Sequence, residues 1–343
     1  MIKIKVSIPG QPDNLSFEQY IGNKDNKLSN YKFYVNCQVE EPDYWFVLES
    51  LNRKSEECYI NQKNIIYLNS ETSYPKDYFI NNYMQKYMDQ FNLKFGCYAN
   101  IDSSYKFEMP FLPWLINSRN DVSAFSENEK GIKYFKNLID IKKDKTISVI
   151  CSNKAYTDDH KARLNFVYKL KEHFQNDLDW FGTGFQEVET KWEGIAKYKY
   201  HIVLENDSRN NLISEKLYDS FLGHAYPIYY GAPNVLDYFP NNSLAKINIM
   251  DLNKSISTIE NVINQNLEKK YYEQIIKSKN LVLEKYNFVF RMIDIVEDRD
   301  TDFSNRSLVS LKNVDYFWKK EVNYKNKIKH QIKRKLRINV NNY

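Results

Sequence analysis

The sequence predicts an α/β protein of two domains, each built on a parallel sheet, and three observations carry that expectation. Its 343 residues exceed what a single hydrophobic core ordinarily organises. Apolar runs of strand length alternate with amphipathic stretches of helical period along most of the chain. Residues 197–240 read as strand, polar loop, helix and second strand, the βαβ unit from which parallel sheets are assembled.

Met1 to Ser7 alternates charged and apolar residues as a strand does, and Pro9-Gly10 turns it. Phe33 to Cys37 and Tyr44 to Glu49 are further short apolar runs, with Glu41-Pro42-Asp43 between them. Asn64 to Leu68 reads as a buried strand, and Asn69-Ser70-Glu71-Thr72 follows at its carboxyl end. Asp77 to Phe91 is charged and of helical length, and Phe95 to Ile101 is another strand. These elements make a first domain over residues 1–145, closed by a polar stretch from Asp121 to Lys145. The second, residues 146–305, opens with a strand from Ile147 to Cys151, then Ser152-Asn153, then a helix from Asp159 to Phe174. That helix carries Leu164, Val167, Leu170 and Phe174 on one face. Leu178 to Phe181 runs as a strand into Gly182-Thr183-Gly184. After the βαβ segment come Leu244 to Ile249 and helices from Ile256 to about Tyr286.

Residues 306–343 form a tail of different character. Between Lys319 and Arg337 nine Lys/Arg face a single acid, Glu321. Trp318, Val322, Ile328, Ile332 and Leu336 recur there at near-helical spacing, a basic amphipathic pattern suited to an anionic membrane surface. The net charge of +5 therefore sits in the tail, and the body is mildly acidic, which speaks against nucleic acid as a partner. A content of 42% hydrophobic and 27% charged residues is that of an ordinary soluble domain. No spanning helix is expected, and the N-terminus lacks the apolar core of a signal peptide, so a cytoplasmic protein is expected. Cys37, Cys58, Cys97 and Cys151 are dispersed, as reduced structural thiols would be. Asp177-Leu178-Asp179 and Asp298-Arg299-Asp300 fit a loose metal-binding pattern. The first enters its strand instead of leaving it, the second lies in a charge-rich stretch, and no metal ligand is expected at either.

Within the βαβ segment, Tyr200 to Leu204 is the strand, with Glu205 and Asn206 at its carboxyl end. A loop from Asp207 to Asn211 precedes a helix from Leu212 to near Gly223. Ile213, Leu217, Phe221 and Leu222 share one face of it, while Glu215, Lys216 and Asp219 fall elsewhere. Ala225 to Tyr230 then runs into Gly231-Ala232-Pro233. Ligands of such units bind beyond the carboxyl ends of the strands, where a helix N-terminus suits a phosphate or diphosphate. Lys216 adds a mobile positive charge, and Glu205 and Glu215 are acceptors for ribose or sugar hydroxyls. On spacing alone, Glu215 and Lys216 serve equally well as solvated residues of a surface helix.

The same stretch resembles the donor-binding motif of the α-1,3-fucosyltransferases of glycosyltransferase family 10. In bacterial members it reads roughly YKF-x-L-x-FEN, a short polar loop, then YVTEK. Tyr198, Lys199, Glu205, Asn206, Ile213, Glu215 and Lys216 fall in register with it. AYPIYYGAPNVLDYFP is similar to the continuation of that motif. One position departs: Leu212 stands where the family has a Tyr three residues before its Glu. SNKAYTDDHKARLNFVYKL resembles the family's SN-x-NAP-x-R-x-x-FYDAL, with Ser152 and Asn153 opening it and Arg163 at its Arg. IIYLNSETSYP is similar to the family's VFYTGENESP with one residue inserted, which matches Glu71 to its Glu.

The resemblance covers about 150 residues of the second domain well and the first domain weakly. It implies the GT-B fold, two Rossmann-like domains facing a cleft. It also implies an inverting transfer of L-fucose from GDP-β-L-fucose to a hydroxyl of N-acetylglucosamine or glucose in a surface glycan, such as lipopolysaccharide or a glycoprotein, through an α-1,3 or α-1,4 linkage. Glu71 would then be the base, with Glu49 its competitor. Arg163, which can grip two phosphate oxygens at once, and Lys216 would hold the diphosphate. Glu205, Asn206, Glu215, Ser152 and Asn153 would orient the donor, with no cofactor and no metal. Bacterial members end in a basic amphipathic tail and act on lipid-linked glycans, which implies the inner face of the cytoplasmic membrane. Two rivals stand beside this reading: a GT-B transferase for another sugar nucleotide, which Leu212 invites, and a decayed transferase that binds glycans or tethers to membranes.

Overall fold

The computed structural model describes residues 1–22, 28–72, 78–98, 101–117, 130–155, 157–299 and 303–322. Its strands are β1 (Ile2–Ser7), β2 (Tyr31–Val35), β3 (Tyr44–Leu48), β4 (Ser55–Ile60), β5 (Ile65–Leu68), β6 (Leu93–Gly96) and β7 (Tyr105–Phe107) in the first lobe. The second lobe has β8 (Lys145–Ile150), β9 (Leu178–Phe181), β10 (Tyr198–Leu204), β11 (Tyr226–Tyr230) and β12 (Ala245–Lys246), and β13 (Ser307–Lys312) follows near the C-terminal end. The first sheet has the order β2-β1-β3-β5-β6-β7 and the second β12-β11-β10-β8-β9. Every pairing within these two sheets is parallel. Two Rossmann-like parallel sheets of this kind are the GT-B architecture.

The strands that lie centrally are the ones whose sequences are continuously apolar. All five residues of β3 and all four of β5 are buried, as parallel strands covered on both faces require. In the second sheet β10 takes the same place, and Ile202, Val203 and Leu204 are at most 4% exposed. One apolar core runs through both lobes, joining Ile4 and Phe46 to Ile147, Leu204 and Phe288. A second cluster fills the other face of the first sheet around Trp45, Tyr67 and Tyr87.

Two pieces near the end of the chain return to the first lobe. Helix Phe288–Glu297, capped by the Asn287 side chain, lies beyond the last helix the periodicity predicts. Its Arg291 donates to the Pro110 and Met109 carbonyls at 2.7 Å and to Glu108 at 2.9 Å. β13 then pairs antiparallel with β4. The tail expected from residue 306 thus begins as a strand, ahead of its amphipathic stretch, with Leu311 buried in the first-lobe cluster. Residues 314–322 are helical, and Trp318 there is 48% exposed. Residues 323–343, with Ile328, Ile332, Leu336 and most of the basic charge, lie outside the described residues. β4 escapes sequence reading because its inward positions include a charge: Glu56 is buried against the Lys5 ammonium at 2.8 Å.

The four cysteines are free. Among the described residues no helix is long and apolar enough to cross a membrane.

Candidate active site

The loop leaving β10 and the helix after it form the frame of the site. Helix Glu215–Leu222 starts three residues later than the pattern predicts, because Ser214 is its N-cap and accepts from the Lys216 amide. The reason lies in Glu205, which is fully buried and holds that cap. Its Oε1 accepts the Ser214 amide at 2.7 Å, and its Oε2 accepts the Ser214 hydroxyl at 2.6 Å. Burial pushes the Glu205 carboxyl above its ordinary range, against the pull of Lys216. Gly231 makes the arrangement possible: a Cβ there would lie 2.5 Å from Glu205 Cγ and collide with the Tyr229 ring.

Arg163 comes from the preceding βα unit. Helix Asp158–Phe174 is capped by Thr157, which accepts the His160 amide, and Arg163 points inward from its second turn at 7% exposure. Its guanidinium donates to Asn206 Oδ1, so the strand-end Asn orients the Arg. Its Nε–H is buried and has no hydrogen-bond partner among the described residues. His160, beside it, is held below the usual imidazole range by burial and by the Arg163 charge.

These groups meet at a cavity of about 300 Å³ at the carboxyl end of the second sheet. Ser152, Lys154, Arg163, Lys191, Glu215 and Lys216 line its polar wall. Lys216 Nζ lies 3.4 Å from Glu215 Oε1 and 3.7 Å from Glu205 Oε2. Lys191 reaches Asp219 at 3.0 Å and Glu215 at 3.6 Å. Burial alone would raise Glu215, but Lys216 and Lys191 overcome it and bring the carboxyl down to about 2. Burial dominates at Asp219 and pushes it up to about 6 against the attraction of Lys191. His201 lies in the same wall with its Nδ1 2.9 Å from the Ser148 hydroxyl, and burial brings it down to about 3, leaving it neutral. Four cationic side chains against two carboxylates make this a site for a polyanion.

The predicted residues take distinct places. Ser152, Arg163, Glu215 and Lys216 share the cavity wall. Glu205 and Asn206 stand behind it, holding the cap and the Arg. Asn153 is exposed, packed on Gly184, with its amide donating to the Thr183 carbonyl at 3.0 Å. Lys191 and Asp219 escaped sequence reading. Asp219 was expected away from the buried face, yet it is fully buried, and its Oδ1 accepts the Leu115 amide at 2.8 Å. The signal available was its spacing four residues after Glu215, on one helix face. Asp179 pairs with Lys145 at 3.2 Å and accepts the Tyr198 hydroxyl at 2.7 Å. Asp300 lies outside the described residues. Among the described residues no group of three His, Cys, Asp or Glu is placed to hold a metal ion.

Glu71 is on the other lobe, just past β5, partly exposed and not part of the cavity wall. The loop after β10 touches its neighbour: Arg209 donates to the Thr72 carbonyl at 3.2 Å and stacks over the Tyr98 ring at 4.5 Å. Asn211 donates to the Phe107 carbonyl at 3.2 Å. Leu212, at the departing position, is fully buried in the first-lobe cluster and does not line the cavity.

Residues 141–282 match the family model described as glycosyltransferase family 10 (fucosyltransferase), C-terminal. The chain is similar to the alpha-(1,3)-fucosyltransferase FucT of Helicobacter pylori, 28% identical over 85 residues, or 25% of this chain and 17% of that protein. The matched stretch is thus less than a fifth of the relative's length. A crystal structure of an α1,3-fucosyltransferase with GDP is similar at 17% identity and a TM-score of 0.49, covering 82% of this chain and 90% of that one. The same enzyme type with GDP-fucose gives 17% and 0.47, covering 89% and 92%. Anabaena HepE with UDP gives 9% and 0.47, covering 87% and 100%.

Proposed function

We propose that this chain, whose residues 141–282 carry a glycosyltransferase family 10 (fucosyltransferase) C-terminal domain, transfers L-fucose from GDP-β-L-fucose to a sugar hydroxyl. The observation that carries the reading is the cavity where Arg163, Lys216 and Glu215 converge, with the Arg163 Nε–H buried and unpartnered. A buried donor without a partner is costly unless a ligand supplies the acceptor. A diphosphate supplies it.

In the proposed reaction Glu71 takes the proton from the acceptor hydroxyl as its oxygen bonds to the anomeric carbon. The bond from that carbon to the diphosphate breaks on the opposite face, which inverts the configuration. Arg163 and Lys216 take up the charge that develops on GDP, and no metal is required. Glu215, held ionised by its two lysines, accepts from donor hydroxyls, while Ser152, in the same wall, borders the diphosphate. The acceptor is N-acetylglucosamine or glucose in a surface glycan, lipid-linked or on protein, with an α-1,3 or α-1,4 linkage. On this reading the enzyme works in the cytoplasm, with its basic tail against the inner face of the membrane.

Leu212 supports a second reading, a transferase of the same fold for a different sugar nucleotide, because the side chain at the family's Tyr position is turned away from the cavity. Titration of the chain with GDP-fucose, GDP-mannose and UDP-sugars separates the two. Tighter binding of a UDP-sugar than of GDP-fucose would refute the favoured donor. An acceptor screen with GDP-fucose that releases GDP from wild type, and not from Lys216→Ala, tests the transfer itself.

A further inference from the structure

We propose that Glu49, previously the competitor for the base, is the positioning residue of the Glu71 carboxylate, and that it acts by gripping the backbone that carries Glu71. The inference rests on the reading of Glu71 as the base. Glu49 is the first residue after β3, beside the end of β5. Its backbone is left-handed, with φ at +58°, a conformation strained for a residue with a side chain that persists only where surroundings enforce it. The enforcement is visible: its amide donates to the Leu68 carbonyl at 3.0 Å, and its own carbonyl accepts the Tyr87 hydroxyl at 2.9 Å.

The side chain then crosses to the turn after β5. Oε1 accepts the Asn69 side-chain amide at 2.7 Å, the Glu71 backbone amide at 2.8 Å, and the Ser70 backbone amide. Oε2 accepts the Tyr67 hydroxyl at 3.0 Å. Asn69 closes the ring by donating from the same side-chain nitrogen to the Glu71 carbonyl at 2.9 Å. Residues 69 to 71 therefore wrap one carboxylate oxygen, as a backbone nest wraps a bound anion, except that the anion belongs to the protein.

Two consequences follow. Oε1 is filled by three donors and Oε2 faces the Tyr67 hydroxyl, so the Glu49 carboxylate is committed to the turn that carries Glu71, the place of a support and not of a base. And the Glu71 amide, one bond from the Cα that carries the base, is fixed from beneath, while Arg209 of the other lobe fixes the Thr72 carbonyl on its far side. A base must be held within about half an ångström of its productive place, and a misplacement of an ångström costs about a hundredfold in rate.

The test uses the full chain with two independent readouts. Amide hydrogen exchange at Ser70 and Glu71 is expected to rise by at least about tenfold in Glu49→Ala, and to stay within about threefold of wild type in Glu49→Gln, whose amide oxygen still accepts. In turnover with GDP-fucose, Glu49→Ala lowers kcat by about a hundredfold with GDP affinity within about twofold, and Glu49→Gln restores most of it, whereas Glu71→Gln is inactive. Unchanged exchange in Glu49→Ala overturns the proposal. So does a Glu49→Gln as inactive as Glu71→Gln, since that assigns the proton transfer to Glu49. A fully active Glu71→Gln defeats the reading of Glu71, and the exchange data still decide whether the grip exists. Should Glu49→Ala not fold, Glu49→Asp, one methylene short of its three N–H donors, carries the same readouts.

Discussion

Arg163→Ala is expected to weaken GDP binding about a hundredfold, and the figure follows from the surroundings of the guanidinium. The side chain is 7% exposed, one of its terminal nitrogens is engaged by Asn206, and its Nε–H is unpartnered. Two charge-assisted hydrogen bonds to phosphate oxygens are worth about 1.5–3 kcal/mol each, which bounds the loss at about 3–6 kcal/mol. The lower end applies, because Lys216 and Lys191 remain in the same wall and keep it positive. Arg163→Lys returns the charge without the fork, and its loss is expected near tenfold, or about 1.4 kcal/mol. The assay is calorimetric titration of GDP into the full chain, repeated at two salt concentrations, since a buried pair is screened weakly. If Arg163→Ala binds GDP within about threefold of wild type, the diphosphate lies elsewhere and the assignment of this cavity fails.

Burial pushes Glu49 up to about 7, against the donors of Ser70, Glu71 and Tyr67 and with the nearby Glu71 charge adding to the rise. A carboxyl raised on folding takes up a proton as the chain folds. Its contribution is therefore full below the ordinary carboxyl value and is lost as pH rises towards 7. Thermal melts from pH 5 to pH 7.5 should show wild type losing more stability with rising pH than Glu49→Gln, and parallel slopes would refute the shift. Gly231→Ala forces a Cβ against Glu205 and Tyr229, so its melting temperature should fall by several degrees, about 1–3 kcal/mol of overpacking. An unchanged melt would show that this turn yields. Removal of residues 323–343 should abolish sedimentation with vesicles containing anionic lipid while leaving GDP affinity unchanged; equal sedimentation of the shortened chain refutes a membrane role for the tail.

The parts of the fold that sequence shows plainly are those whose burial is two-sided and apolar. NIIYL, LDWF and YHIVL are strands because nothing else accommodates such runs beside polar ends, and each is found within two residues of its expected place. What sequence conceals is buried charge. Glu56 inside β4 breaks the apolar pattern of SEECYI, and its partner Lys5 lies on a strand about fifty residues earlier. Asp219 looked solvated for the same reason, although Lys191 and the Leu115 amide satisfy it. In the site, Arg163, Glu215 and Lys216 were legible through motif spacing. The division of labour was not: Glu205 and Glu49 look like ligands or bases in a sequence, and only coordinates reveal that their oxygens are taken up by Ser214 and by residues 67 to 71. A carboxylate's role is set by its donors, and those come from remote parts of the chain.

The donor-side loop also belongs to the other lobe. Between Asn206, which orients Arg163, and Ser214, which caps the Lys216 helix, three successive contacts reach across: Arg209 to Thr72, Asn211 to Phe107, and Leu212 into the cluster around Tyr98 and Tyr105. A displacement of that loop therefore moves Arg163, Lys216 and the Glu71 turn together. Burying Leu212 completely is worth about 1.5–3 kcal/mol of apolar transfer, comparable with the gain expected from one phosphate contact. An aromatic at this position would have to leave the first-lobe cluster to reach the donor, or enlarge that cluster to stay. Leu212 is thus an interlobe anchor, and under the proposed function its burial there leaves it out of reach of the donor. Leu212→Tyr should accordingly cost stability while tightening GDP-fucose relative to GDP. A variant as stable as wild type with the same ratio of the two affinities would show that position 212 serves neither purpose.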